Sequence, residues 1–197
     1  MPQFARNRPP REPRKPPKPP PRPLGAARLE ELALAYAARF AVSAAKLADY
    51  LRRKLRERGW DGEEAPPVEA IVARFVAAGY VDDAAYARAK SGSMLRRGLG
   101  MRRVSQAMDA AGIAGEDREA ARAGQGTQRR AALAHARKRR LGPFGPPTAD
   151  RAGREKQIAA MLRAGHPLDS ARELVNAVSV AAAEEWAAQA SEDDLCD

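Results

Sequence analysis

Cysteine is nearly missing from this chain of 197 residues: the one thiol is Cys196, so no internal disulfide can form and a reducing compartment is expected. Aromatic side chains are also scarce, at 5%, which disfavours a thick aromatic core and favours helices drawn close by the abundant alanines. No apolar run nears the roughly 20 residues that span a bilayer. The first residues lack the apolar stretch of a secretory signal, so a cytoplasmic location is expected. The two histidines, His135 and His166, have no Cys/His partner at ligand spacing, which argues against zinc. A G-x-x-x-x-G-K-[ST] phosphate loop is absent, and Gly98-Leu99-Gly100 lacks the third glycine and preceding strand of a dinucleotide fingerprint. No segment alternates with period two over a strand length, so no sheet is expected. The chain reads as having no catalytic residue, no cofactor and no metal.

What is plentiful is positive charge, and its distribution is uneven. The formal net charge is +10. Residues 1–23 hold seven Lys/Arg, one Glu and ten prolines, a composition that cannot bury a core and predicts disorder. Residues 184–197 hold six acidic residues and no Lys/Arg. The ends cancel, leaving the net charge on residues 24–183. A basic ordered region points to an anionic partner, nucleic acid or nucleoprotein, as an alternative to a merely solvated surface.

One helix ending recurs at a fixed interval. Gly59-Trp60, Gly112-Ile113 and Gly165-His166 are each preceded by a helical stretch, and the glycines lie 53 residues apart. The residue four places before each is apolar: Leu55, Met108 and Met161. A glycine just past a helix closes its C-terminus at positive φ, where a β-carbon is disfavoured. The recurrence predicts one helical unit used three times.

The pattern between these marks is helical throughout. Leu29, Leu32, Ala33 and Tyr36 share one face, and Ser43 is placed to cap a helix striped by Leu47, Leu51 and Leu55. Pro66 and Pro67 open a third helix carrying Val68, Ile71, Val72, Phe75 and Val76. Asp82 and Asp83 start the next, which reaches about Arg97. A helix from Met101 to Gly112 follows, then a short charged one from Gly115 to Ala123. The last unit begins near Thr127, contains a Gly142-Pro143-Phe144-Gly145-Pro146-Pro147 loop expected to be non-helical, and resumes near Asp150. Ser170 and Glu173 have capping-box spacing. The expected architecture is all-α, three tandem three-helix repeats over residues 26–79, 80–125 and 126–182, with a disordered tail at 1–25 and an acidic tail at 183–197.

The junction between the first two units carries a family resemblance. Gly79-Tyr80-Val81-Asp82-Asp83 followed by Tyr86-Ala87 resembles the Gly-aromatic-aliphatic-Asp-Asp…aromatic-Ala signature of the RecX family of recombinase regulators. Arg96-Arg97-Gly98-Leu99-Gly100, Arg102-Arg103-Val104, Gly112-Ile113, the stretch from Ile158 to Gly165, and Leu174-Val175 are similar to that family in the same order. The resemblance covers residues 26–180. It implies three three-helix units in a curved, elongated array. It also implies binding to the RecA recombinase filament on single-stranded DNA, restraining its ATPase, strand-exchange and co-protease functions in recombination, DNA repair and the SOS response. Lys90 stands where the family usually has an apolar or aromatic residue, and the tail before residue 24 is additional.

Asp82 and Asp83 adjoin at a helix start and do not converge on one ligand, so they read as caps and not as a metal or acid/base pair. Tyr80 and Tyr86 read as packed residues in preference to base-stacking ones. The candidate nucleoprotein-binding residues are Arg96, Arg97, Arg102 and Arg103, which bracket one turn, and Arg137, Lys138, Arg139 and Arg140, which circle one helical turn. The expected partners are the recombinase filament and, through it, single-stranded DNA, with the chain a monomer and no membrane involved. Two other classes fit a basic helical chain: a DNA-binding transcriptional regulator and a helical-repeat scaffold.

Overall fold

The computed structural model describes residues 22–147 and 150–193. Among them are ten α-helices and no strand: α1 (Ala26–Arg39), α2 (Ala44–Arg58), α3 (Val68–Ala77), α4 (Asp83–Arg96), α5 (Met101–Asp109), α6 (Gly115–Glu119), α7 (Gln125–Arg139), α8 (Arg151–Arg163), α9 (Leu168–Asn176) and α10 (Val180–Asp193). Three apolar clusters follow one another along the chain. The first gathers Leu29, Leu47, Leu51, Ile71 and Phe75 from α1–α3. The second gathers Met94, Leu95, Val104, Met108 and Ile113 from α4, α5 and the turn after α5. The third gathers Ala132, Ile158, Met161, Leu174 and Val175 from α7–α9. Buried alanines stand in all three clusters, among them Ala33, Ala87 and Ala132.

The recurrent glycines stand where the spacing puts them, at helix ends with φ of +81° (Gly59), +67° (Gly112) and +95° (Gly165). The later two share one bonding pattern. Ile113 N–H donates to the Met108 carbonyl at 3.0 Å, and His166 N–H to that of Met161 at 3.2 Å. That is the six-to-one bond of a Schellman motif. At Gly59 the glycine N–H instead donates to Leu55 at 2.8 Å, so the first copy closes differently. Its neighbour Trp60 turns back into a parallel bridge with Leu24.

These endings also join one part of the chain to the next. The C-terminal end of α5 meets the start of α2, where the Ser43 hydroxyl donates to the Ala111 carbonyl at 2.6 Å. The C-terminal end of α8 meets the start of α5, where the N–H groups of Gly100 and Arg102 donate to Ala164 and Gly165 at 2.9 and 3.2 Å. Each junction sets orphan carbonyls of one helix against donors at the positive end of another. A β-carbon on Gly112 would lie 2.4 Å from that of Ala45, and one on Gly165 would lie 2.7 Å from the Arg103 nitrogen. Glycine is therefore required there by contact as well as by φ.

Four local expectations need correction. Leu24, placed in the tail, is fully buried in the first cluster and exchanges bonds with Gly59 and Asp61; residues 1–21 lie outside the described residues. The Gly142 loop contains one 3-10 turn, Gly142–Phe144, because a proline at the start of a short helical turn has no N–H bond to lose. The helix α9 starts at Leu168 with Pro167 before it, so Ser170 and Glu173 lie inside it and form no capping box. The acidic end of the chain begins inside α10. The Ser179 hydroxyl accepts from Ala182 N–H at 3.1 Å, and Ala183 and Ala187 are buried in a helix packed on α7.

Candidate anion-binding surface

The first arginine cluster sits on a turn that is held against another helix. Gly98 is buried between α4 and α5, and a β-carbon there would come within 2.9 Å of the His135 nitrogen on α7. This close approach brings the α4–α5 turn alongside the last turn of α7. Arg96, Arg97, Arg102 and Arg103 are all exposed. The Arg97 guanidinium folds back onto the Ser93 carbonyl at 3.3 Å. That of Arg102 donates to the Leu162 carbonyl at the end of α8, and that of Arg103 to Gln106 at 3.2 Å.

The second cluster divides. Arg137 is turned to α10, where it pairs with Glu184, and its guanidinium lies 5.6 Å from the Phe144 ring centre. Lys138, Arg139 and Arg140 are exposed and take part in no ion pair among the described residues. Arg140 closes α7 in the left-handed conformation, at φ 54° and ψ 50°. It is the one residue other than glycine with positive φ among those described.

The two clusters, separate in sequence, share a groove. Arg103 from α5 and Arg139 from α7 line an open depression of about 250 Å³ together with Arg163 from the end of α8. Leu99, Ala160, Ala164 and His135 complete its lining. No carboxylate lines it. Some arginines elsewhere are ion-paired: Arg52 with Asp49 and Glu69, Arg74 with Glu30, Arg118 with Asp109 and Arg122 with Glu119. The groove's three guanidiniums take part in no ion pair among the described residues, so no ion pair has to break when an anion enters. Arg163 was not among the candidate binding residues because it stands alone; Glu57 and Ala110 hold the same place before the other recurrent glycines, so the interval carries no signal for it.

Behind the groove the two histidines come together. Their ring centres are 5.5 Å apart, although 31 residues separate them. His166 is buried, and its Nε2 lies 3.0 Å from the Gly98 carbonyl, the geometry of a neutral imidazole donating there. Burial lowers its pKa to about 4, and the bond to Gly98 only partly opposes this. Burial lowers His135 as well, and the charges of Arg139 and Lys138 push the same way. No group of three or more His, Cys, Asp or Glu able to hold a metal occurs among the described residues.

The paired aspartates are caps of two different helices. Asp82 accepts from Ala85 N–H at 2.7 Å at the start of its own helix. Asp83 reaches across to Ala44 N–H at 2.8 Å, at the start of α2. Burial raises the Asp83 pKa, against the bond from Ala44. Tyr86 is half-buried against the second cluster. Tyr80 departs from the packed expectation: it is 60% exposed, with its ring centre 5.4 Å from that of Phe75.

No family model matches the chain. The regulatory protein RecX of Myxococcus xanthus (strain DK1622) is 32% identical over 165 residues, covering 79% of this chain and 88% of that protein. The crystal structure of RecX from Lactobacillus salivarius matches with a TM-score of 0.60 at 17% identity, covering 76% of this chain and 94% of that one, a likeness in fold. Taken with the Asp82-Asp83 junction and the recurrent helix ends, the extent of the Myxococcus match shows that the chain belongs to the RecX family of regulatory proteins.

Proposed function

We propose that this protein binds the RecA recombinase filament on single-stranded DNA and inhibits its ATPase, strand-exchange and co-protease activities, regulating recombination, DNA repair and the SOS response. It acts as a cytoplasmic monomer with no enzymatic activity or cofactor of its own. The observation that carries this reading is the meeting of the α4–α5 turn with the last turns of α7 and α8. There Arg103, Arg139 and Arg163 face one groove without a carboxylate among them. Arg96, Arg97, Arg102, Lys138 and Arg140 add exposed charge on the same turns. Such a surface suits an extended polyanion or nucleoprotein, whose binding is salt-sensitive and independent of sequence. Arg137 is assigned to the fold instead, because Glu184 neutralises it.

The test is single-stranded-DNA-dependent ATP hydrolysis by a RecA-type recombinase, with and without the protein. The expected result is inhibition by the wild type, weakened by reversing Arg96, Arg97, Arg102 and Arg103 to Glu. Binding to bare duplex, bare single strands and recombinase-coated strands separates this role from the alternatives. A transcriptional regulator prefers duplex, and a scaffold is indifferent to DNA.

A further inference from the structure

We propose that the groove formed by Arg103, Arg139 and Arg163 is a seat for the sugar-phosphate backbone of the single strand itself, and not for carboxylates of a protein partner. The inference deepens the reading above by naming which component of the nucleoprotein occupies this site, and it rests on that reading. Three features carry it.

The first is the charge. Three guanidiniums from three helices, with no acidic residue in the lining, can each fork one anionic group, so the groove suits a ligand that carries several closely spaced charges. A strand presents one charge per nucleotide along a line. The second is the shape. The groove is open and Leu99, Ala160 and Ala164 share its lining with the arginines, so a sugar can lie on apolar surface while the phosphates beside it meet the cations. Phosphate contacts of this kind position a strand without reading its bases.

The third is what the helical register does not demand. Arg103 is the third residue after the N-cap of α5, and the third residue after the N-cap of α2 is Lys46. Two places before Gly165 stands Arg163, while two places before Gly112 stands Ala110. The junction between α2 and α5 forms with neither an arginine nor any cation at the second of these positions. The fold therefore does not need Arg163 to join α5 and α8, and its place in the groove is available for a ligand.

The experiment measures fluorescence anisotropy of a labelled oligothymidylate across a salt series with the full chain, without recombinase. The variants are Arg139→Gln with Arg163→Gln, the pair Arg139→Lys with Arg163→Lys, and Arg28→Gln as a control paired far away with Glu31. Circular dichroism verifies folding, which exposed positions tolerate. The glutamine pair is expected to lose about tenfold or more in affinity. Its salt slope should be shallower by about 0.7 for each phosphate of the single strand that no longer meets a cation. The lysine pair is expected to lose less, and Arg28→Gln nothing. Unlabelled oligothymidylate should displace the probe fully, while inorganic phosphate at matched ionic strength should not; equal displacement by both would assign the groove to free phosphate and overturn the strand.

Failure of the wild type to bind the bare strand at low salt, or unchanged affinity in the folded glutamine pair, would also overturn the proposal. So would glutamine variants that bind the bare strand normally yet fail to inhibit a recombinase, which would place an acidic protein surface in the groove. Groove-dependent strand binding by a wild type that inhibits no recombinase would sustain the phosphate seat and refute the regulatory role instead.

Discussion

At the scale of single residues, burial and backbone conformation make two side chains informative. The fold holds His166 neutral with a pKa near 4, while the unfolded chain takes up its proton near 6.5. Between those values the unfolded state binds more protons, so stability falls as pH drops from 6.5 to about 4, and the loss is complete below that. The shift corresponds to about 3 kcal/mol. Thermal melts from pH 7.5 to 4 should show this fall in the wild type and a flatter profile in His166→Gln, whose amide can still donate to Gly98. Identical profiles would remove His166 from the account.

Arg140 offers the opposite case, a cation held in a conformation that costs an ordinary residue about 1–2 kcal/mol. Arg140→Gly is expected to raise stability by about 1 kcal/mol in chemical denaturation, and to weaken anion binding only if this guanidinium touches the ligand. A destabilised glycine variant would show that the side chain supports the helix end.

These residues also mark the reach of sequence reading. The helix-capping role of Asp82 was legible because it acts three residues away. The partner of Asp83 lies 39 residues back on α2, and His135 on α7 meets His166 in the α8–α9 connection; no local pattern encodes such meetings. Tyr80 misled for the same reason. An aromatic residue at a helix end is apolar by type, but only the packing of α3 on its neighbours decides which side of it faces water.

At the scale of elements, the helix ends hold neighbouring parts of the molecule together, and they can be broken selectively. Gly112→Ala places a β-carbon against Ala45, while Gly79→Ala, also at positive φ (+73°), meets open space. Both carry the left-handed penalty, about 1 kcal/mol. Gly112→Ala should cost clearly more, because the α2–α5 junction must also shift. Equal losses in chemical denaturation would show that the junction is loose. Asp82→Ala and Asp83→Ala should each cost about 1 kcal/mol, and Asp82→Asn should restore most of the loss because asparagine caps as well.

Helices with clear stripes, such as α2 and α3, and those bounded by glycine were legible from spacing alone. The helix α10 was not, because its alanines give little contrast between faces and its acidic residues suggest a solvated tail. What makes it a helix in place is α7, whose Ala132 and Ala136 are buried and whose Arg129 sets its guanidinium 4.9 Å from the Trp186 ring centre. The groove was half legible. Both arginine clusters could be named from sequence, but the fold decides that Arg103 and Arg139 meet, that Arg163 joins them, and that Arg137 does not.

At the scale of the whole molecule, three small apolar clusters follow the chain, and helix ends lock neighbouring parts together at α2–α5 and α5–α8. We propose that the units bounded at residues 79, 125 and 182 are three copies of one design, the reading first suggested by the glycine interval. The molecule then presents a basic face assembled from its second and third units, while α10 packs on α7 and sets Glu184 against Arg137. The proposed role needs no pocket for chemistry. It requires that inhibition of a filament depend on arginines drawn from different helices.

The most direct measurement is inhibition of single-stranded-DNA-dependent ATP hydrolysis by a RecA-type recombinase, compared between the wild type and Arg103→Glu with Arg139→Glu across a salt series. The account predicts that the wild type inhibits, losing potency as salt rises, and that the folded double variant is weaker by more than about tenfold with a flatter salt dependence. A folded double variant that inhibits as strongly as the wild type at every salt concentration would contradict it.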